Sequence, residues 1–201
     1  MQLNDAQQVQ TDKLTETFEL LVQVQLDAGD FSADWSHCDR LATYVARMVS
    51  HNRADSLQYA NLFSTAFNEL LETAFRNHRK EGQIICAVLR SGAVDRIELT
   101  IPCDATIKDF YIDAVQSLAA TDFAKSYVSA LLSDGPLDPR IGLLELAVDY
   151  NARLSLKQDV DVASPNRQDA YAVSSDRQNA TQTVCLVAEF TLDAPIAQGN
   201  E

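Results

Sequence analysis

The sequence predicts an α/β fold, a two-layer α/β sandwich in which helices cover one face of a mixed sheet of about five strands. Two observations predict it. Strand-type runs and helical patterns follow the order strand, two helices, two strands, three helices, two strands. Hydrophobic residues make up 46% of the 201-residue chain and charged residues 22%, which is typical of a globular protein with one sizeable core.

The first half of the chain predicts a strand, two helices and a hairpin. TFELLVQVQL, residues 17–26, alternates apolar and polar residues as a half-buried strand does. Helices are predicted at 35–50 and at about 55–78 from apolar residues every three or four positions. The first of them has its apolar residues at Trp35, Cys38, Leu41, Val45 and Met48. QIICAVLR and DRIELTIP, joined by SGAV, predict a hairpin whose Gly92 takes a positive φ.

The second half predicts three helices and two strands. IKDFYIDAVQSLAA and TDFAKSYVSALLS are helical patterns divided near Thr121-Asp122, a predicted N-cap. After the breaker-rich loop DGPLDP, the run IGLLELAVDY predicts a short helix, and ARLSLKQDVDVA and TVCLVAEFTL predict the last strands. We expect one domain over 14–192 with tails at 1–13 and 193–201. Whether the polar connection 164–182 becomes ordered on binding stays open.

Charge and composition exclude several classes of function. A formal charge of −13 and a pI of about 4.5 repel nucleic-acid phosphates and anionic lipids, so we expect neither nucleic-acid nor membrane binding. No apolar run approaches a membrane span, and MQLNDAQQVQTDK lacks the order of a signal peptide. The four separated cysteines predict buried, reduced thiols in a cytoplasmic protein, and no metal site is expected.

Two motifs carry the remaining signal. NELLETA, residues 68–74, lies on the long helix, and RIGLLELAVDYNARL, residues 140–154, spans the short helix. In their order, with TVCLVAEFTL at the end, these stretches resemble the GHKL (Bergerat-fold) ATPase superfamily, which includes histidine-kinase catalytic domains and anti-sigma-factor serine kinases. Within it, the chain is most similar to SiaB-related bacterial and cyanobacterial regulators, which carry NELLENA and GLGLL…DYGA. The resemblance covers nearly the whole domain.

The resemblance implies ATP or ADP with Mg²⁺ as ligand, and it assigns roles to residues of the long helix. Glu69 matches the carboxylate that orients or deprotonates the attacking group. Thr73, one helical turn later, stands where the family has an asparagine that ligates Mg²⁺. A threonine hydroxyl is shorter than an amide and a weaker ligand for a hard cation, so we expect metal binding to suffer.

The resemblance also assigns roles around two other segments. Asp104 matches the aspartate that binds the adenine amino group, although Ala105 and Thr106 replace the glycines that usually follow it. Arg140 and Gly142 match the phosphate-binding loop, which has lost most of its glycines. Adenine and phosphate binding are therefore both expected to be weakened.

Each of these residues also has a purely structural explanation. Glu69 would be an exposed helix carboxylate near Arg76 or Lys80, and Asp104 the N-cap of the helix that follows it. Gly142 would permit close packing of its short helix on the sheet, and Arg140 would be a surface charge. The sequence leaves both sets of explanations open.

Retained motifs with altered ligand residues predict a cytoplasmic signalling regulator with weak or lost ATP binding. The resemblance implies that such a regulator acts through protein partners in partner-switching or two-component-like pathways: a STAS-domain antagonist, a sigma factor, a response regulator or a phosphatase. One alternative is an active serine protein kinase that phosphorylates a STAS-domain antagonist, with Glu69 as base. A second alternative is a structural dimerisation module, since homodimers are common in the wider family.

Overall fold

The computed structural model describes residues 17–118, 123–132, 135–136, 138–157 and 182–192. The predicted tails, the Thr121-Asp122 cap and residues 164–181 lie outside these ranges. The elements are β1 (Glu19–Asp27), α1 (Ala28–Phe31), α2 (Ser36–Val49), α3 (Ser56–Arg76), β2 (Gln83–Ser91), β3 (Val94–Pro102), α4 (Ala105–Leu118), α5 (Phe123–Leu131), α6 (Ile141–Asp149), β4 (Arg153–Lys157) and β5 (Thr183–Phe190). Among these residues, no helix is long and apolar enough to cross a lipid bilayer.

The five strands form one sheet in the order β1-β2-β3-β5-β4. Every pairing between these strands is antiparallel, so the expected mixed sheet is antiparallel throughout the part that is described. A pattern of alternating residues predicts a strand but not the direction of a distant partner, which explains the difference. The two-layer α/β arrangement itself is as predicted.

The β2–β3 hairpin forms where the sequence predicts it. Ser91 pairs with Val94 across a two-residue turn, and Gly92 has a φ of +58°. Residues with a side chain rarely adopt this backbone conformation, which explains why position 92 is a glycine. The hairpin register then brings Cys86 opposite Leu99 and Val88 opposite Ile97 on one face of the sheet.

One face of the sheet packs against the helices. Its central strands contribute buried residues at alternate positions: Ile84, Cys86, Val88, Ile97, Leu99, Ile101, Val184, Leu186 and Ala188. The opposite face carries polar pairs. Arg96 donates to Glu189 at 2.7 Å, and Lys157 lies 2.6 Å from Glu98. The predicted coverage of a single face by helices is therefore present.

The buried face of α2 differs from the predicted one. Trp35 and Met48, expected in the core, are exposed. The residues that bury instead are Cys38, Ala42, Val45, Ala46 and Val49. Alanines on this face let α2 approach α3 closely, whereas Trp35 packs edge-on to Phe75, with ring centroids 4.8 Å apart. All four cysteines are free; three are buried and Cys185 is half-buried.

A buried carboxylate joins the hairpin to the helical layer. Asp95 on β3 has no exposed surface, and it accepts hydrogen bonds from Arg53 at 2.9 Å, Tyr59 at 2.7 Å and Arg90 at 2.7 Å. Arg90 also donates to the carbonyl of Val49 at 3.0 Å. Burial and the charge of Asp95 raise the pKa of Tyr59, so its phenol stays a hydrogen-bond donor. The cluster connects the hairpin with both ends of the α2–α3 connection.

We expect Asp95→Asn to destabilise the protein by about 3–5 kcal/mol, because it removes the buried carboxylate that pairs with the partly buried Arg90 guanidinium. Urea unfolding followed by circular dichroism measures this change. The matched control is Glu81→Gln, whose ion pair with Arg79 is exposed and is expected to contribute about 0–1 kcal/mol. Equal losses in the two variants would contradict the structural role of Asp95.

Candidate functional site

Helix α3 places Glu69 and Thr73 one turn apart. The helix begins after Asp55, whose carboxylate accepts the N–H of Gln58 at 3.0 Å and thereby caps the first turn. Its buried apolar residues are Tyr59, Phe63, Ala66, Phe67, Leu70, Leu71 and Ala74. This burial fixes the rotation of α3 and turns Glu69 and Thr73 toward α6.

Helix α6 contacts α3 through Gly142. A Cβ atom at Gly142 would lie 2.9 Å from Oγ1 of Thr73, 3.0 Å from Oε2 of Glu69 and 3.3 Å from the Glu69 carbonyl oxygen. Only a glycine allows this approach without displacing α3. The close packing that the sequence left open for Gly142 is therefore observed, against a helix instead of the sheet. Three of the five predicted site residues meet at this point, which we call the α3–α6 contact.

Thr73 lies inside the molecule. Its side chain has no exposed surface, and its hydroxyl donates to the carbonyl oxygen of Glu69 at 2.9 Å. This is the bond that threonine commonly makes to the preceding turn of its own helix. The hydroxyl is thus used within α3 and does not face an open cleft.

Glu69 is half-buried, and no ion pair neutralises it among the described residues. Burial, followed by the charges of Glu145 and Glu72, raises the pKa of Glu69 to about 7. Arg76 opposes that shift, but its guanidinium pairs with Glu72 at 2.9 Å instead. The expected salt bridge of Glu69 with Arg76 is therefore made by Glu72.

Carboxylates from α6 extend this region. Burial and the charges of Asp149 and Glu72 raise the pKa of Glu145. Glu145 and Asp149 lie one turn apart on α6, and neither forms an ion pair within the described ranges. We call Glu69, Glu145 and Asp149 the acidic edge. Sequence reasoning missed the two α6 members, although their spacing of four residues on a predicted helix was a usable signal.

Asp104 and Arg140 have local partners. Asp104 is exposed and accepts the N–H of Ile107 at 2.9 Å, as the N-cap of α4. Arg140 donates to both oxygens of Asp138, at 3.0 and 2.7 Å, and lines an open pocket of about 970 Å³ between α4 and α5. Its hydrogen bonds hold the pKa of Asp138 below the usual range. The capping role proposed for Asp104 is observed, and the charge of Arg140 is compensated by its neighbour.

These residues fit Mg²⁺-ATP poorly. The hydroxyl that replaces the metal-binding amide is buried and bonded within α3, and Gly142 packs directly against it. The carboxylate of Glu69 lies at this contact without an ion pair to another described residue, and its negative charge repels a triphosphate. Within the described part of the chain, no group of three or more histidine, cysteine, aspartate or glutamate side chains is placed to hold a metal ion.

We expect Gly142→Ala to destabilise the protein by about 1–3 kcal/mol, because the added methyl overlaps Thr73 and Glu69. In the middle of a helix without such a contact, replacing glycine by alanine stabilises the protein by about 0.5–1 kcal/mol. Thr73→Ala removes the nearest overlapping atom, so the double variant should be more stable than the sum of the single changes predicts. Urea unfolding of all four proteins measures the coupling. Strict additivity would contradict the α3–α6 contact.

The free energy of unfolding should depend on pH through Glu69. Its pKa rises from 4.5 to about 7 on folding, so the folded state binds more protons and stability falls as pH increases across that window. The side chain at position 69 of the Glu69→Gln variant cannot ionise. The stability of this variant relative to the wild type should therefore increase between pH 4.5 and about 7 and level off above that range. Denaturation at several pH values tests this, with Glu81→Gln as the exposed control. Parallel stability profiles for wild type and Glu69→Gln would contradict it.

Comparison of the chain with protein-family models, with curated proteins and with solved structures found no match. The resemblance to the GHKL superfamily therefore stays a prediction from the sequence motifs. The roles of the α3–α6 contact and the acidic edge therefore follow from the chemistry of their own residues.

Proposed function

We propose that this protein is a cytoplasmic signalling regulator of GHKL type that acts by binding a protein partner, with ATP binding weak or lost. The partner classes are those that the resemblance implies: a STAS-domain antagonist, a sigma factor, a response regulator or a phosphatase. A fold can present a binding surface to a partner without binding the ligand of its family. The residues of this chain suit a nucleotide ligand poorly.

The observation that carries the proposal is the α3–α6 contact. A nucleotide site of this type needs a metal-binding oxygen that points into an open cleft beside a glycine-rich loop. Here the Thr73 hydroxyl is bonded within α3, and Gly142 packs against it. A ligand could enter only if α6 moved away from α3.

Charge at the acidic edge supports the same proposal. Glu69, Glu145 and Asp149 place carboxylates beside α6, and none of the three has an ion pair with another described residue. Phosphate recognition needs the opposite charge, supplied by arginine, lysine, a metal ion or a helix N-terminus. Arg140, the predicted phosphate-binding cation, already pairs with Asp138 at 2.7 Å.

Exposed apolar side chains support binding to another protein. Large apolar residues with at least 40% of their surface exposed occur on β1, on α3, and on or next to α2 and α5. They are Leu20, Trp35, Tyr44, Met48, Leu57, Val128, Leu131 and Leu132. Three of them, Val128, Leu131 and Leu132, recur on one side of α5, and exposed apolar residues that lie together are typical of surfaces that contact other proteins.

Calorimetric titration with Mg²⁺-ATP tests the proposal. We expect no saturable heat at micromolar nucleotide, because the metal position is filled and the surrounding charges are repulsive. Arg140→Ala serves as a matched variant that removes the cation of the α4–α5 pocket, and Glu69→Ala removes the carboxylate of the α3–α6 contact. Micromolar binding in the wild type that is lost in Glu69→Ala and kept in Arg140→Ala would overturn the proposal.

One observation favours the alternative of an active serine protein kinase. The pKa of Glu69, raised by burial and by Glu145 and Glu72 to about 7, is close to the value at which a general base is most effective. Transfer of labelled phosphate to a STAS-domain protein, lost in Glu69→Gln and kept in Glu81→Gln, would support the kinase. Transfer that Glu69→Gln leaves unchanged would show that Glu69 is not the base.

A further inference from the structure

Helix α5 carries an apolar stripe on its exposed side. Ala124, Val128, Leu131 and Leu132 recur at the spacing of one helix face, and all four are exposed. Leu131 and Leu132 have 52% and 79% of their surface accessible. We call these four residues the α5 face. A stripe with helical periodicity differs from the isolated exposed leucines that most surfaces contain.

The opposite side of α5 is occupied. The helix packs against α6, and Tyr127 and Ala130 are its half-buried residues. Lys125, Ser126 and Ser129 line the pocket on the side away from the α5 face. At about 3.6 residues per turn, Tyr127 lies between the packed side of α5 and the α5 face. The α5 face therefore adjoins whatever surrounds Tyr127.

Tyr127 lies on the helix that packs against α6, and the charges of the acidic edge act on it. Burial, then the charges of Glu145, Asp149 and Glu69, raise the pKa of the Tyr127 phenol. None of these three carboxylates forms an ion pair within the described residues, and Asp149 is exposed. An apolar stripe thus runs alongside a row of unpaired negative charges.

We propose that the α5 face and the acidic edge together bind a basic amphipathic helix of a partner protein. Its apolar side chains cover Val128, Leu131 and Leu132, and its lysines or arginines pair with Glu145 and Asp149. This inference rests on the proposed function as a protein-binding regulator and names the chemistry of the partner segment. Amphipathic helices are commonly recognised in this way, by apolar anchors together with charges of opposite sign.

Charge favours this occupant over a second copy of the chain. Each copy carries a formal charge of −13, so two acidic edges brought together repel one another. A basic helix both covers the apolar stripe and neutralises carboxylates that form no ion pair with the other described residues. An acidic or uncharged helix would satisfy only the apolar part.

Fluorescence anisotropy with the full-length chain tests the proposal. The probe is a fluorescein-labelled lysine–leucine peptide that forms about five amphipathic turns. A scrambled peptide of the same composition and a glutamate–leucine peptide are the ligand controls. We expect binding of the first peptide only. Leu131→Ser with Leu132→Ser should weaken it at least tenfold, and Glu145→Gln with Asp149→Asn should weaken it and reduce its dependence on salt.

Two matched variants separate a defined surface from general attraction to an acidic protein. Tyr44→Ser with Met48→Ser removes exposed apolar groups from α2, and Asp30→Asn with Asp39→Asn removes two exposed carboxylates elsewhere. Both should bind the peptide like the wild type. Equal weakening in all four variants, or no binding by the wild type, would overturn the proposal. So would light scattering that shows a dimer lost in Leu131→Ser with Leu132→Ser when the peptide does not bind, because a second copy would then be the occupant.

Two further measurements make the outcome unambiguous. Circular dichroism verifies that each variant is folded, and amide chemical shifts of the wild type should change on peptide addition within 124–132 and 145–149. Calorimetry with Mg²⁺-ATP on the same samples distinguishes the two proposals. Nucleotide binding together with peptide binding overturns the lost-ATP proposal alone, whereas failure of both ligands to bind overturns the peptide site alone.

Discussion

The carboxylate of Asp95 is the constraint on which the arrangement of the two layers depends. It sits on the core face of β3 with no exposure, and three donors from different parts of the chain converge on it. Arg90 comes from the neighbouring strand, Tyr59 from α3 and Arg53 from the α2–α3 connection. A buried charge demands partners with correct geometry, and a misplaced helix could not supply them. The cluster thus sets where α3 lies on the sheet.

The position of α3 in turn determines what happens at Glu69. With its apolar side fixed on the sheet, α3 presents Glu69 and Thr73 to α6, and Gly142 lets α6 come into direct contact. The same approach brings Glu145 of α6 close to Glu69, so burial, Glu145 and the neighbouring Glu72 raise the pKa of the Glu69 side chain. One close helix–helix contact therefore closes the region around Thr73 and concentrates negative charge beside it. The electrostatics of the site are a consequence of packing.

The sequence predicted the elements well and the contacts between them less well. Periodicity located β1, the hairpin at Gly92, α3, α6 and the last strand, because period and turn chemistry are local properties.

Periodicity did not predict that all strand pairings are antiparallel, since strand direction depends on partners far apart in the chain. The buried side of α2 was wrong at Trp35 and Met48, because alanines pack closer than bulky residues and decide the rotation. The family resemblance grouped Glu69, Thr73 and Gly142 as one site, and their role in binding nucleotide stays a prediction. The Asp95 cluster could not be foreseen, because its four members are separated by up to 42 residues and share no motif.

The place of β5 in the sheet has a consequence for biosynthesis. This strand is the last of the described elements in chain order, yet it lies between β3 and β4, and it supplies the neighbours of Ile97, Leu99 and Ile101. A nascent chain lacking it would expose the free edge of β3 and leave β4 without a neighbour to pair with. Such long-range strand insertion is slow compared with helix formation, and open edges invite intermolecular pairing. The five-stranded sheet is thus completed only after translation has passed residue 190.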